Sequence, residues 1–164
     1  MEKEIERKFI VNKDSFQELK SSAESKDIKQ TYIAVTEDRE VRLRSIDDES
    51  YLLTVKSSGD IARDEYEIEL TDDQAEKFLP LMESNRIHKR RYLIPYDDLT
   101  IETDEYLGDL EGLIIAEVEF ENKDNAHNFN PPSWFGLEVT DRDEFKNKNL
   151  VVKDYSEIKS LTDE

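Results

Sequence analysis

The 164-residue chain contains no cysteine. That excludes disulfide staples and every thiolate metal site. Glycine and proline are scarce, four of each. No Gly/Ser- or Pro-rich linker divides the chain, and residues 1–164 read as one domain. No apolar run approaches the ~20 residues that cross a bilayer. Charge begins at Glu2, which is unlike a secretory leader, so the expected setting is the cytoplasm, with no membrane partner. The two histidines, His88 and His127, have no His or Cys close by in sequence, so a histidine metal centre is not expected. Glycine-rich phosphate loops of the Walker type are missing as well. Base is in deficit, 23 Lys and Arg against 41 Asp and Glu, for a net charge of −18. This argues against nucleic acid, which requires a basic surface. It leaves room for a small polyanion held by a buried cluster of bases and bound cations.

What the chain does have is alternation. Strands are expected at 3–11, 27–35, 40–46, 51–57, 64–70, 87–94, 99–106 and 113–121, from period-two patterning and β-branched or aromatic content. Asp14 is read as the cap of a helix carrying Phe16 and Leu19 and ending near Ala23. Thr71 or Asp72 caps a second, with Ala75, Phe78, Leu79 and Met82, which Pro80 kinks or stops. Residues 124–129 suit a helical turn, and the tail from Asn147 suits one or two closing helices. Asp47-Asp48-Glu49 and Ser57-Ser58-Gly59-Asp60 read as hairpin turns. Trp134 and Phe135 are expected to pack an outer loop.

Side chains two apart share a strand face. Glu4, Glu6 and Lys8 therefore point one way, as do Arg42 with Arg44, Glu65 with Glu67, Lys89 with Arg91, Glu102 with Asp104, and Glu117 with Glu119. His88 points away from Lys89 and Arg91. A solvated face of an open antiparallel sheet gives the same alternation strand by strand. The signs are segregated, however. Carboxylates dominate the first, fifth, seventh and eighth strands, and bases the third, fourth and sixth. Like charges at i and i+2 are tolerable when a cation lies between the acids and an anion between the bases. Eight strands suffice to close a barrel. The expected fold is α+β, an eight-stranded antiparallel β-barrel with a charged lumen, its apolar faces turned outward beneath flanking helices.

Oxygen donors without His or Cys select Mg²⁺, Mn²⁺ or Ca²⁺ over zinc. Glu4, Glu6, Glu117 and Glu119 are the leading ligand candidates, and Glu102 with Asp104 forms a third acidic pair. Lys8, Arg42, Arg44, Lys56, Lys89 and Arg91 are candidate phosphate binders, Arg by a bidentate fork and Lys by a point charge. Together they suit phosphoryl transfer. So many bases exceed the need of one phosphate, and a linear chain of about three fits better.

These segments resemble the CYTH superfamily, the triphosphate tunnel metalloenzymes. The opening Glu4-Ile5-Glu6-Arg7-Lys8 is similar to its ExExK signature. Gln30-Thr31-Tyr32-Ile33, Val41-Arg42-Leu43-Arg44, Leu53-Thr54-Val55-Lys56, Glu65-Tyr66-Glu67-Ile68, Lys89-Arg90-Arg91-Tyr92, Glu102-Thr103-Asp104, Ala116 to Phe120 and Trp134 to Thr140 follow in order. The resemblance implies a tunnel for a small-molecule triphosphate with Mg²⁺ or Mn²⁺, two ions matching two Glu-x-Glu pairs. It places Glu65, Glu67, Glu102 and Asp104 with Glu4, Glu6, Glu117 and Glu119 among the metal-side acids. Lys8, Tyr32 and Asp104 become the catalytic candidates, Tyr32 as a proton acceptor or, alternatively, as strand packing. Lys148 reads as a surface lysine, with the tunnel as the alternative. The implied activity is hydrolysis of inorganic triphosphate or a related organic triphosphate. Class IV-type adenylyl cyclase and a non-catalytic polyphosphate or nucleotide sensor are the alternatives. Monomer and homodimer remain equally open.

Overall fold

Strand alternation and helix capping lay out the chain in a computed structural model that describes residues 2–58, 62–83 and 85–162. The strands are β1 (Glu2–Val11), β2 (Glu24–Val35), β3 (Arg39–Ile46), β4 (Ser50–Ser57), β5 (Ala62–Glu69), β6 (Arg86–Tyr96), β7 (Leu99–Tyr106), β8 (Ile114–Glu119) and β9 (Phe135–Glu138). The helices are α1 (Lys13–Lys20), α2 (Asp72–Phe78), α3 (Lys123–Asn128), α4 (Asn147–Leu150) and α5 (Tyr155–Thr162). The strands run in the order β5-β4-β3-β2-β6-β7-β8-β1, all neighbours antiparallel. Pairing of Glu4 with Arg63 and Ile5 with Ala62 joins β1 to β5 and closes the barrel. Closure leaves no edge exposed along the join.

β9 lies outside the eight-stranded barrel. It pairs with Phe9 and Val11 of β1, so Phe135 opens a short strand and only Trp134 stays in the loop that was expected to hold both. Arg7 fixes β9 from below. Its Nε and Nη2 each donate to a Glu138 oxygen at 2.7 Å, and its Nη1 donates to the Ala126 carbonyl of α3 at 2.9 Å.

The α1 cap is Asn12, whose side chain accepts from the amides of Asp14 and Ser15; Asp14 sits in the first turn, where its charge complements the helix dipole. α1 ends at Lys20, short of Ala23, because β2 starts three residues earlier than its pattern suggested. β6 is long enough to pair with Glu24 through Leu93, and that ladder wins over local helix propensity. Thr71 caps α2 in a reciprocal box with Gln74, and the helix gives way at Pro80 to a 3₁₀ turn, Leu79–Met82. Asp47-Asp48-Glu49 forms the turn between β3 and β4. Gly59 and Asp60 of the other expected turn lie outside the described residues.

Outward apolar residues of β1, β6, β7 and β8 pack under α1 and α3 through Ile5, Phe16, Ile94, Ile101, Val118 and Ala126. Phe16 meets Tyr92 edge-on at 5.2 Å. Burying such a ring is worth about 1.5–3 kcal/mol. The helices do not cover the whole wall: Tyr66 and Ile68 of β5 and Ile33 of β2 stay exposed. At one end of the barrel the inward positions turn apolar. Ile10, Ile87, Tyr106 and Ile115 pack there against Phe145, Leu150 of α4 and Ile158 of α5. α5 approaches closely because residue 112 is glycine. Its φ is +111°, and an added Cβ would sit 2.7 Å from a Tyr155 ring carbon.

Candidate active site

The inward side chains of β1 to β8 surround a cavity of about 740 Å³. It gathers Glu4, Glu6, Lys8, Tyr32, Arg42, Arg44, Lys56, Glu65, Arg91, Glu102, Glu117 and Glu119. The charges interlock. Lys56 contacts Glu4 and Glu65, each at 2.8 Å. Lys8 lies 3.5 Å from Glu117 and 4.0 Å from Glu6. Arg91 reaches Glu102 at 2.6 Å.

Three expected site residues lie elsewhere. Asp104 is fully buried and faces no open space; its Oδ1 accepts from Arg91 Nε at 2.7 Å and its Oδ2 from Arg91 Nη2 at 2.9 Å and Lys89 Nζ at 2.6 Å. Both oxygens accept from buried bases. Lys89 is equally buried, behind the wall, with Tyr106 beneath it at 5.5 Å. Glu67 shares the strand face of Glu65 but is exposed beyond the cavity, where Thr54 Oγ1 donates to it at 3.4 Å. Alternation fixes the face of a side chain, not its depth along a barrel.

Residues that the sequence reading passed over also belong to the lining, among them Arg63, Glu40, Lys146 and Asn147. Arg63 Nη2 lies 2.6 Å from Glu6 and 3.8 Å from Glu4, and its Nη1 lies 3.9 Å from Glu40. Arg63 continues the period of Glu65 and Glu67, and that signal was available. Lys148 is no plain surface residue, since its Nζ lies 3.9 Å from Glu40. Gln30, fully buried, accepts from Arg44 Nε and Nη2 at 3.3 and 3.2 Å. His88 points outward to Asp27 at 2.7 Å.

The electrostatics separate the lining into two kinds of group. Glu117 is held well below the ordinary carboxylate range, because Lys8, Arg91 and Lys89 outweigh its burial. Glu6 and Glu119 are pushed up, first by burial and then by neighbouring carboxylates, Glu117 for the one and Glu4 for the other. Burial, then Arg42 and Arg91, lowers Arg44 to about 10, so this wall carries cations in excess. Burial raises Tyr32 to about 12, against the opposing pull of Arg42. Arg42 Nε is buried without a hydrogen-bond partner.

Among the described residues no three acidic side chains converge into a finished metal cluster, because Arg63 and Lys56 engage the oxygens of Glu6 and Glu4. The donor chemistry nevertheless fits a hard divalent cation. Glu4, Glu6 and Glu119 offer oxygens only, and Glu6 stands directly opposite Glu119 in the β1–β8 ladder. The raised carboxyls mark a local surplus of negative charge that such a cation relieves.

The family model described as the CYTH domain matches residues 2–146. The chain belongs to the CYTH family. The inorganic triphosphatase of Acetivibrio thermocellus is 40% identical over 160 residues, covering 97% of this chain and 99% of that relative. That of Nitrosomonas europaea is 40% identical over 152 residues, covering 91% and 97%. A crystal structure of an inorganic triphosphatase superposes with a TM-score of 0.64 at 35% identity, covering 93% of this chain and 97% of the other. A CYTH barrel of eight antiparallel strands is thus the frame that holds the cavity.

Proposed function

We propose that this CYTH chain is a metal-dependent inorganic triphosphatase that releases the terminal phosphate of tripolyphosphate. One observation carries the reading: the carboxylates of β1 and β8 and the bases of β3, β4 and β6 converge on one cavity inside the barrel. Relatives that align over nearly their whole length and bear the name inorganic triphosphatase support it. Glu4, Glu6 and Glu119 would hold the cation, read as Mg²⁺ or Mn²⁺ and as two ions. Bound there, it supplies Lewis-acid polarisation of phosphate oxygens and a more acidic water.

The remaining work falls to the chain's own side chains. Arg42, Arg44, Lys56 and Arg91 grip successive phosphates. Lys8, fixed between Glu6 and Glu117, neutralises charge that develops on the phosphoryl group in transit. Tyr32 donates to a phosphate oxygen. Asp104 aims Lys89 and Arg91. The substrate is a small triphosphate, with neither nucleic acid nor membrane as partner; among the described residues no helix is long and apolar enough to cross a bilayer. We place the activity in a single domain, 1–164, working in the cytoplasm.

An adenylyl cyclase would need an adenine pocket. Among the described residues the aromatic side chains of the lining are Tyr32 and Phe120, and Phe120 packs against Phe129 in the outer core, which leaves no aromatic pair to hold an adenine. The test is phosphate release from tripolyphosphate with Mg²⁺ or Mn²⁺, compared with ATP, in wild type, Glu119→Gln and Arg44→Ala. Turnover of tripolyphosphate ahead of ATP, its abolition by Glu119→Gln and a raised KM in Arg44→Ala are expected. Tight binding without phosphate release would refute hydrolysis and favour a sensor.

A further inference from the structure

Arg63 is the base in this cavity whose nearest partners are two carboxylates of β1. It stands on β5 at the seam of the barrel, directly across from Glu4 in the closing ladder. Its guanidinium takes Glu6 at 2.6 Å and approaches Glu4 at 3.8 Å. These are the oxygens a divalent cation would need. Among the described residues its Nε is buried with no hydrogen-bond partner, so the group has donating capacity in reserve.

The neighbouring bases are better insured. If a cation claimed Glu4, Lys56 would keep Glu65 at 2.8 Å. If it claimed Glu6, Lys8 would keep Glu117 at 3.5 Å. Among the described residues Arg63 would retain Glu40 alone within 4 Å, at 3.9 Å, and Glu40 is shared with Lys148 at the same distance. A buried guanidinium with so distant a counter-ion is unfavourable, and a phosphate oxygen is the partner that restores it.

We propose that Arg63 is a placeholder counter-ion: it competes with the divalent cation for Glu4 and Glu6 and, once displaced, turns to a phosphate of the substrate. Metal binding thereby readies a phosphate-binding group, and the two events are coupled. The proposal rests on the reading of the cavity as a metal-dependent triphosphate site.

Two opposite signs test it. Mn²⁺ is titrated into the full chain without phosphate, by calorimetry and by the electron paramagnetic resonance of free Mn²⁺. Wild type is compared with Arg63→Ala, Arg63→Gln and Arg63→Lys. Removing the competitor should tighten Mn²⁺ binding about tenfold in Arg63→Ala and Arg63→Gln, and losing the phosphate contact should raise KM for tripolyphosphate about tenfold. Arg63→Lys, which keeps the charge, should fall between on both measures. A purely structural residue would weaken both affinities together. Unchanged or weaker Mn²⁺ binding in Arg63→Gln overturns the proposal, and so does tighter Mn²⁺ binding with an unaltered KM. If Arg63→Ala fails to fold, by circular dichroism, the Gln and Lys variants carry the comparison. Should wild type bind tripolyphosphate without hydrolysing it, the triphosphatase reading fails, and calorimetric affinity for tripolyphosphate replaces KM in the same test.

Discussion

Asp104→Asn isolates the buried charge cluster from the chemistry. The wild-type carboxylate is fully buried and satisfies Lys89, also fully buried, and Arg91 through contacts of 2.6 to 2.9 Å. Asparagine keeps the shape and removes the charge. Arg91 retains Glu102 at 2.6 Å, but Lys89 is left beside Arg91 without its carboxylate. Breaking a buried pair by removing one partner costs about 3–5 kcal/mol. At roughly 2–4 °C per kcal/mol for a chain of this size, the melting midpoint should fall by about 6–20 °C. Thermal circular dichroism without metal or phosphate measures it. The double variant Asp104→Asn/Lys89→Met removes both halves of the pair and should recover a large part of the loss. The opposite role makes the opposite forecast: an acid kept for metal is relieved of repulsion when neutralised, and the metal-free protein would gain stability. A midpoint unchanged or raised in Asp104→Asn would refute the assignment of Asp104 as the anchor of Lys89 and Arg91.

Two further outcomes follow from the charge states. Glu117 lies well below its unfolded value of 4.5, so it stabilises the fold above that pH and the contribution is lost as the medium is acidified through its folded range. Melting midpoints of wild type should therefore fall on the acid side, and Glu117→Gln should start lower and change less with pH between 5 and 3, by circular dichroism; parallel curves would discount the Lys8 and Arg91 contacts. On the proposed role of Tyr32 as a donor to phosphate, Tyr32→Phe should raise KM for tripolyphosphate within about tenfold and leave the pH profile of kcat intact. Abolished turnover with a missing basic limb would make Tyr32 the proton acceptor instead.

The barrel was legible because its signal is local. Most strands repeat charges at every second residue, and the sign stays constant from Arg42 to Arg44 and from Glu117 to Glu119, so face and partner class can be read from five or six residues. Depth could not be read that way. Glu65 and Glu67 look alike in sequence, yet only the first reaches the cavity; Glu102 lies on the lining while Asp104, two residues on, is walled in. Where along a strand the barrel opens or closes depends on register with neighbours 13 to 15 residues away or more, as in Lys89 with Asp104. Arg63 was missed for a smaller reason: the strand was started at residue 64, one position too late to include the next member of its own period. β9 has four residues and a partner more than 120 positions away in β1, and nothing in Phe135–Glu138 taken alone announces that pairing.

A chain of net charge −18 that holds a polyanion poses an electrostatic question, and burial answers it. Exterior carboxylates act through water and salt, which damp their fields beyond about 8 Å at physiological ionic strength. The bases of the lumen act at contact distance in a medium of much lower effective dielectric, where the same charge counts several-fold more. Arg42, Arg44 and Arg91 are each within a tenth of full burial, and Arg44 is driven down to about 10 by burial and the two other arginines. That depression comes first from burial and then from repulsion among the cations, and a phosphate chain relieves the second part. The acids of β1 and β8 relieve it from one side only, because strand pairing fixes them to β1 and β8 and Arg44 must make do with the neutral Gln30. The overall charge therefore bears on how the molecule behaves in solution, and the arrangement of a dozen buried side chains decides what enters the barrel.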